Sequence, residues 1–458
     1  MTNERALLER TAEIAARYLD TLDTRPIRAD ADYDAMLAAV DRPVPEEGLD
    51  PADVIEELAR LAEPGLVAMG SGRYYGFVIG GALPSSLAAD WLVSAWDQNT
   101  GLAQVTPAAS ALEAVTGRWV LELLGLPAHS SFAFVTGCQM AHVTSLAAAR
   151  HAQYDRIGYD LPARGLAGAP PLRVVVGGKR HVTLTRALQL LGIGAEQEVV
   201  VPVDDQGRMR VELLADILAG GDAPTIVCLQ AGEVNTGTFD DLATGIAVAH
   251  DVGAWVHVDG AFGLWAATSP GLAHLVAGHA DADSWATDAH KWLNVPYDCG
   301  IAICAHPLMH GAAMEYAAPY LDVAKAAERD PMGFSPEFSR RARSLPAWAA
   351  IRALGRRGVA AMIESSCASA RGIAEGLVAI PGCELLNDVV LNQVLVRFED
   401  DARTSAIVAA VQREGEAWMS PTVWDDRAAI RISVSCWRTD EDDVRRTVAA
   451  FARAAVAY

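Results

Sequence analysis

The sequence predicts an α/β protein in which a mostly parallel central sheet carries helices on both faces, followed by a small α+β C-terminal domain. Between residues 130 and 305, short runs of β-branched residues alternate with helical runs, which is typical of strand–loop–helix units. After Trp348, a long helical segment precedes strand-like runs and a final helix that we expect Thr439 to cap. The strand-like runs are 383–386, 394–398 and 429–435.

The chain of 458 residues exceeds what a single core usually organises. We therefore predict an N-terminal helical segment (1–72), a large domain (73–345) and a small C-terminal domain (346–458). Within the first segment, residues 4–22 and 51–63 place apolar side chains at helical spacing, and each helix has an apolar face that needs cover. The acidic, proline-containing stretch 25–50 is interpreted as a linker.

The turn around Gly137 is a candidate phosphate site. It joins a strand at 132–135 to a helix that begins near Cys138 and Gln139. Backbone N–H groups and the positive end of the helix dipole suit a phosphate there, although any β–α turn shares this property.

Asp259 and Lys291 carry the chemical argument. Asp259 ends a strand at 255–259, and Lys291 follows a strand at 283–287. Ligand crevices form at the carboxyl ends of strands in open α/β sheets. A pyridoxal 5'-phosphate (PLP) enzyme needs a lysine amine for the cofactor aldehyde and a carboxylate that keeps the pyridine nitrogen protonated. The small side chain of Ala261 would let the ring lie against the strand.

Four short motifs make the chain resemble the group II PLP-dependent decarboxylases, which include the aromatic amino acid, tyrosine, histidine and glutamate decarboxylases. The motifs are HVDGA (257–261), DS (283–284), DAHKW (288–292) and YDCG (297–300). The resemblance implies the aspartate aminotransferase-like fold (PLP fold type I) and decarboxylation of an L-amino acid, with an aromatic substrate as one option. It also implies a homodimer in which the N-terminal segment packs on the partner subunit.

The same resemblance implies the site residues. Lys291 and His181 are expected to be catalytic, and His181 is expected to stack on the cofactor ring, although a histidine at a helix start is more often a cap. From the turn, the two strand ends and the resemblance together, the expected cofactor-binding residues are Gly137, Cys138, Gln139, His181, Thr236, Asp259, Ala261, Asp288, His290 and Lys291. Cys138 and Gln139 depart from the hydroxyl-rich form that the family usually has in this turn, but backbone donors survive such changes. Because an aspartate beside a phosphate would repel it, Asp288 is expected to act through His290 or a backbone group.

The segment 316–348 departs from the family pattern. In the family, a loop here carries a tyrosine that protonates the carbanion after carbon dioxide leaves, but this chain has no tyrosine between Tyr320 and Tyr458. Another residue or water could deliver the proton. Otherwise the outcome could be oxidative formation of an aldehyde, carbon–carbon lyase chemistry or transamination. A non-catalytic PLP-binding scaffold is an alternative of a different class.

Substrate recognition stays open at this stage. Tyr74, Tyr75, Phe77 and Trp96 suggest an aromatic pocket wall, but aromatic residues line many cores. Arg431 could meet a substrate carboxylate, although a strand arginine more often lies at a surface or a domain interface.

Charge and composition exclude several function classes. A net charge of −21 argues against binding nucleic acid or anionic membrane surfaces. No uninterrupted apolar stretch of about 18 residues and no apolar signal core are present, so we expect a cytoplasmic protein. The seven cysteines are scattered without paired spacing, which predicts neither a metal site nor a disulfide framework.

Overall fold

A computed structural model describes residues 3–219, 223–314 and 329–458. Its α-helices are α1 (Glu4–Asp20), α2 (Tyr33–Val40), α3 (Pro51–Ala62), α4 (Pro84–Trp96), α5 (Pro107–Leu123), α6 (Cys138–Arg156), α7 (Leu161–Arg164), α8 (Val182–Leu190), α9 (Leu214–Leu218), α10 (Leu242–His250), α11 (Pro307–Met314), α12 (Ser344–Val378), α13 (Asp401–Glu414) and α14 (Glu441–Ala457). Its strands are β1 (Tyr74–Tyr75), β2 (Ser131–Val135), β3 (Arg173–Gly177), β4 (Glu198–Val201), β5 (Thr225–Gln230), β6 (Trp255–Asp259), β7 (Ser284–Asp288), β8 (Gly300–Cys304), β9 (Cys383–Leu385), β10 (Gln393–Phe398), β11 (Trp418–Trp424) and β12 (Arg427–Ser433).

The large sheet has the strand order β2-β8-β7-β6-β5-β3-β4. Strands β3 to β7 pair in parallel, whereas β8 runs antiparallel to both of its neighbours, β2 and β7. Alternate side chains of β5 point into different cores, since Val227 belongs to one apolar cluster and Ile226 and Cys228 to another. Each face of the sheet therefore buries apolar side chains under helices, and the predicted α/β class with a mostly parallel sheet is confirmed.

The small sheet has the order β1-β11-β12-β10-β9 and is antiparallel except for the pairing of β1 with β11. Helices α13 and α14 and the second half of α12 pack on it around an apolar cluster of their own. Strand β1, which the sequence analysis assigned to the large domain, pairs Tyr74 with Trp418 and Tyr75 with Met419. The two boundaries between the three predicted domains remain predictions.

Two local expectations were wrong, and capping explains both. The stretch 25–50 is not only a linker, because α2 forms within it and the Asp32 carboxylate accepts the N–H of Ala35 at 2.9 Å. Asp440, not Thr439, caps α14. Its carboxylate accepts the N–H of Asp443 at 2.9 Å, and the Asp443 side chain accepts the N–H of Asp440 at 3.3 Å. Such reciprocal capping stabilises a helix start.

Helices α1, α2 and α3 bury none of their side chains. Among the residues that the structure describes, no helix combines the length and apolar character that crossing a membrane would require.

Candidate active site

The candidate site lies where strands β6 and β7 end beside the start of α6. Asp259 is the last residue of β6 and Asp288 is the last residue of β7. The two strands pair in parallel, so both carboxylates reach the same edge of the sheet. Helix α6 begins at Cys138, directly after the turn that follows β2.

Lys291 lies just beyond β7, with its Nζ 3.1 Å from Oδ2 of Asp288. Burial acts to lower the pKa of this lysine, but Asp288, Cys138 and Asp259 together outweigh burial, and the pKa is raised. The backbone of Gly80 packs directly against the backbone of Lys291, because a Cβ on Gly80 would lie 1.9 Å from the carbonyl oxygen of Lys291. The described structure therefore holds Lys291 as an ammonium ion paired with one carboxylate.

Asp288 binds three donors. Its Oδ1 accepts the backbone N–H of Cys138 at 2.6 Å and lies 3.4 Å from Nε2 of His290. The Nδ1 of His290 accepts the N–H of Cys299 at 3.1 Å, so the ring proton of a neutral His290 lies on Nε2, toward Asp288. Asp288 thus contacts both His290 and a backbone group, while Lys291 occupies its other oxygen.

The turn at Gly137 has features that fit a phosphate. The buried side-chain Nε2 of Gln139 has no hydrogen-bond partner in the part of the chain that the structure describes. The imidazole of His290 lies close to Gly137, since a Cβ on Gly137 would lie 3.2 Å from Cε1 of His290. An unpaired donor at the positive end of a 19-residue helix suits an anion. Gly137, Cys138, Gln139 and His290 are therefore placed together at one end of the site.

Asp259 is buried and surrounded by donors. Its Oδ2 lies 3.5 Å from Nε2 of His142, and its Oδ1 accepts the N–H of Ala261 at 3.2 Å and faces Sγ of Cys138 at 4.0 Å. Burial acts to raise the pKa of Asp259, but His142, followed by His181 and Lys291, outweighs it, and the pKa lies well below the usual range. The carboxylate is therefore ionised although it is buried.

His181 caps α8 and also faces the candidate site. Its Nδ1 accepts the N–H of Thr183 at 3.4 Å and lies 2.7 Å from the hydroxyl oxygen of the same residue. Burial lowers the pKa of His181. The charge of Asp259 acts to raise this pKa, whereas the positive charges of Lys291 and Arg431 lower it further. The capping role and the location in the site are thus compatible, and the imidazole is held neutral.

Arg431 reaches the same region from β12 of the small sheet. Its Nε is buried without a hydrogen-bond partner in the described residues, and burial lowers its pKa against the attraction of Glu233. A buried guanidinium with a free donor suits a carboxylate ligand.

Thr236 is not joined to this group by a hydrogen bond in the described part of the chain. Its hydroxyl donates to the carbonyl oxygen of Gln206 at 2.8 Å and lies 2.9 Å from the hydroxyl of Thr238. The predicted contact of Thr236 with the cofactor therefore stays a prediction.

Of the predicted pocket aromatics, Tyr74 and Tyr75 are buried in two apolar cores, whereas Phe77 is exposed. Tyr75 does not line the site, because its hydroxyl lies 3.1 Å from that of Thr447 and its ring packs in the core of the small sheet. Tyr74 stacks on Trp418 with ring centroids 5.1 Å apart, and Phe77 contacts the same indole at 5.5 Å. Burial and the neighbouring Tyr297 raise the pKa of Tyr74 to about 12.

Tyr297 completes this aromatic group, with its ring 4.4 Å from that of His290. We use the name aromatic wall for the group formed by Tyr74, Phe77, Trp418 and Tyr297.

Trp96 ends α4 and is half exposed. Two members of the aromatic wall were not predicted from the sequence. Tyr297 belongs to the YDCG motif but had no assigned role, and Trp418 lies in β11, a strand that the sequence did not predict.

Sequence reasoning also missed His142 and His257. His142 follows Cys138 by four residues, so both lie on one face of α6, and this spacing was the available signal. Ligand atoms of Cys138, His142 and Asp259 lie within 4.8 Å of one another, a spacing that could hold a metal ion as well as hydrogen bonds. The sequence predicted no metal site because its cysteines show neither paired nor zinc-binding spacing, whereas these three side chains come together from α6 and β6.

Part of the departing segment 316–348 lies outside the described residues, which resume at Arg329. From there, Arg329 and Arg340 both bind the buried carboxylate of Glu113, at 3.2 and 2.8 Å. This anchors the chain where it returns to the sheet before α12.

Comparison with known proteins identifies the family. The sequence model of the family described as pyridoxal-dependent decarboxylase conserved domain matches residues 34–399 of this chain. The chain is 24% identical to an aromatic-L-amino-acid decarboxylase of Bacillus atrophaeus, over 96% of this chain and 93% of the relative. It is 27% identical to an L-2,4-diaminobutyrate decarboxylase of Rhizobium meliloti (strain 1021), over 90% of this chain and 84% of the relative.

Solved structures show the same fold. The crystal structure of Oryza sativa TDC with PLP and tryptamine superposes with a TM-score of 0.93 at 21% identity, covering 99% of this chain and 98% of that one. Rhodiola rosea 4-hydroxyphenylacetaldehyde synthase superposes with a TM-score of 0.88 at 22% identity, covering 100% and 99%. The fold is therefore PLP fold type I. The chain belongs to the pyridoxal-dependent decarboxylase family and is an enzyme that uses pyridoxal 5'-phosphate to decarboxylate an amino acid.

Proposed function

We propose that this enzyme decarboxylates an aromatic L-amino acid to its amine, with Lys291 binding the cofactor aldehyde and Asp259 binding the ring nitrogen. The bound cofactor supplies the electron sink for the electron pair left when the α-carboxylate departs. The observation that carries the proposal is the convergence of a partly buried Lys291 and a buried, ionised Asp259 at one sheet edge. Gly137, Cys138, Gln139 and His290 would hold the phosphate, and His181 would cover the ring.

Asp288 orients Lys291 for this role, although its charge also raises the pKa of the lysine and so opposes loss of the proton. An ammonium ion cannot attack an aldehyde, so Lys291 must release a proton first. Its nearest carboxylate, at 3.1 Å, belongs to Asp288, which also holds the start of α6 through the N–H of Cys138. One carboxylate thus orients the amine and the phosphate turn together.

The aromatic wall supports an aromatic substrate. Tyr74 and Trp418 already stack, and Phe77 is more than half exposed beside them, so a further ring could pack there. Phe77 is aimed outward by an unusual backbone, with φ of 54° at Phe77 and 56° at Val78. The unpaired donor of Arg431 would orient the α-carboxylate of such a substrate.

The test is incubation of the PLP-loaded enzyme with a panel of aromatic, acidic and basic L-amino acids, with carbon dioxide, amine, hydrogen peroxide and ammonia measured together. We expect carbon dioxide and amine in equal amounts from an aromatic substrate. Turnover only with acidic or basic amino acids would overturn the substrate class. Lys291→Ala should abolish turnover and borohydride trapping of the cofactor, whereas Lys179→Ala, which removes a partly exposed lysine paired with Asp425, should retain both.

Oxidative decarboxylation to an aldehyde, with dioxygen as the oxidant that is reduced to hydrogen peroxide, is the second candidate. The specific observation is the absence of a tyrosine from residues 321 to 457, where the family pattern places the proton donor. Peroxide and ammonia accompanying the carbon dioxide in the same assay, with little amine, would establish this outcome.

We also propose that the enzyme is a homodimer joined through α1, α3 and α4. These helices line an open cleft of about 820 Å³, and Leu58 and Trp91 expose 60% and 43% of their surface there. Leu58→Glu should lower the molar mass measured by light scattering from dimer to monomer. Leu308→Glu, on α11 and even more exposed, is the matched control and should leave the mass unchanged. A dimer in both variants would exclude this face as the dimer interface.

The cytoplasmic location stays a prediction.

A further inference from the structure

Behind Asp259 lies a row of buried polar side chains that the proposed chemistry does not use. Nδ1 of His142 lies 2.9 Å from Nε2 of His257, and Nδ1 of His257 lies 2.9 Å from Oγ of Ser284. Oγ of Ser284 also accepts the indole N–H of Trp255 at 2.9 Å. All of these side chains are buried, and they come from α6, β6 and β7. The row ends at Oδ2 of Asp259, 3.5 Å from Nε2 of His142.

The partners restrict where the protons lie. The indole of Trp255 can only donate, so the hydroxyl hydrogen of Ser284 remains free to donate to His257. In that state Nε2–H of His257 donates to Nδ1 of His142, which leaves the proton of His142 on Nε2, facing Asp259.

The reverse direction brings in a second donor. If Nδ1–H of His257 donates to Ser284, then Nε2 of His257 accepts from Nδ1–H of His142. Nε2 of a neutral His142 then carries a lone pair, to which the thiol of Cys138 can donate because its Sγ lies 3.5 Å away. That arrangement also aims the lone pair of His142 at the carboxylate of Asp259, so the first arrangement, with the N–H on Nε2, is the one that gives the ionised Asp259 a donor.

We propose that His142, backed by His257 and Ser284, is a positioning residue that keeps a hydrogen-bond donor on Asp259, so that this carboxylate stays ionised and oriented toward the ring nitrogen of the cofactor. This inference rests on the proposed role of Asp259. Without the donor, burial would raise the pKa of Asp259, and the proton shared with the ring nitrogen would shift toward the carboxylate. The ring would then be a weaker electron sink.

Two substitutions at His142 separate donor chemistry from packing. His142→Gln places an amide N–H near the position of the original Nε2, whereas His142→Leu fills similar space without a donor. The matched control is His310→Leu, because His310 is equally buried and bonds to Ser131 and to the carbonyl oxygen of Phe334, at 2.8 and 2.9 Å.

The primary measurement is the ¹⁵N resonance of the pyridine nitrogen in protein loaded with ¹⁵N-labelled PLP, together with the Kd for PLP. We expect His142→Leu to move the resonance toward the unprotonated position and to weaken PLP binding about 10-fold or more. His142→Gln and His310→Leu should both keep the wild-type resonance. A wild-type resonance and Kd in His142→Leu would overturn the inference.

Asp259→Asn tells the two possible failures apart. If it leaves the resonance unchanged, the assigned role of Asp259 fails and the present inference fails with it. A shift in Asp259→Asn without a shift in His142→Leu would overturn the role of His142 alone. One equivalent of bound zinc that disappears in His142→Leu would also overturn it, because His142 would then be a metal ligand.

Discussion

The ends of strands β6 and β7 lie side by side, yet the aspartates that close them have different surroundings. Asp259 faces donors from His142, Cys138 and the backbone of Ala261, and its pKa is far below the usual range. Asp288 instead pairs with Lys291 and holds the first N–H of α6. The sheet supplies two equivalent positions, and the elements packed against each position decide what the carboxylate can do.

The strongest test of this difference is Asp259→Asn. Asparagine keeps the shape but removes the charge that would hold the ring nitrogen protonated, so kcat should fall by about 10²–10³-fold. Asp283→Asn is the matched control, since Asp283 lies at the opposite end of β7 and binds His250 and His306. Its kcat should stay near that of the wild type. If kcat fell equally in both variants, the loss in Asp259→Asn could not be assigned to a specific role of Asp259 in catalysis.

Gly300→Ala tests how tightly the end of the sheet is packed. A Cβ at residue 300 would lie 2.3 Å from the carbonyl carbon of Gly137, and a backbone atom cannot swing away. We expect the free energy of unfolding to fall by about 3 kcal/mol in urea titrations. Gly311→Ala, in α11 with no atom near the added Cβ, should instead be neutral or stabilising. Equal stability of the two variants would contradict the close approach.

Asp288→Asn should have a milder effect on turnover than Asp259→Asn, about 10-fold, because asparagine can still accept the N–H of Cys138. Its distinctive effect concerns Lys291, whose pKa Asp288 raises. With the charge removed, cofactor attachment should reach its maximal rate at a lower pH than in the wild type. An unchanged pH profile of the attachment rate would show that Asp288 does not control this lysine.

The smallest effect concerns the dependence of stability on pH. Burial, with His142 nearby, lowers the pKa of His257 from 6.5 to about 3. The unfolded chain therefore binds a proton at His257 that the folded chain excludes, and stability is lost as the pH falls below 6.5. Between about pH 7 and pH 5 the loss should be on the order of 1–2 kcal/mol. Thermal unfolding of His257→Leu should show a flatter pH dependence, and an identical slope would contradict the assignment.

The sequence predicted those parts of the site that lie close together along the chain. Strand β6 was predicted to its last residue, because Trp255 to Asp259 form a short run of strand-forming residues that ends in a carboxylate. Lys291 was found because it follows β7 within a recognisable motif. The class of fold followed from the repeated strand–loop–helix units, which depend on local periodicity.

Contacts between distant segments could not be predicted in this way. His142 meets His257 across 115 positions of the chain, and neither residue has a local pattern that indicates the other. Tyr75 looked like a companion of Tyr74, but neighbouring residues in a strand point to opposite faces, and only the structure shows that Tyr75 enters the core of the small sheet. Strand β11 escaped prediction because Pro421 interrupts a run that otherwise has strand character.

Strand β1 determines how the molecule should respond to heat. Its two residues precede α4 and the large sheet in the chain, yet they pair with β11 at the edge of the small sheet. Arg73, immediately before them, is buried and binds Glu416 and Asp443 from the same small unit at 3.3 and 3.5 Å. Neither sheet can melt without disturbing this shared segment, so differential scanning calorimetry should record one cooperative transition, with a calorimetric enthalpy equal to the van't Hoff enthalpy.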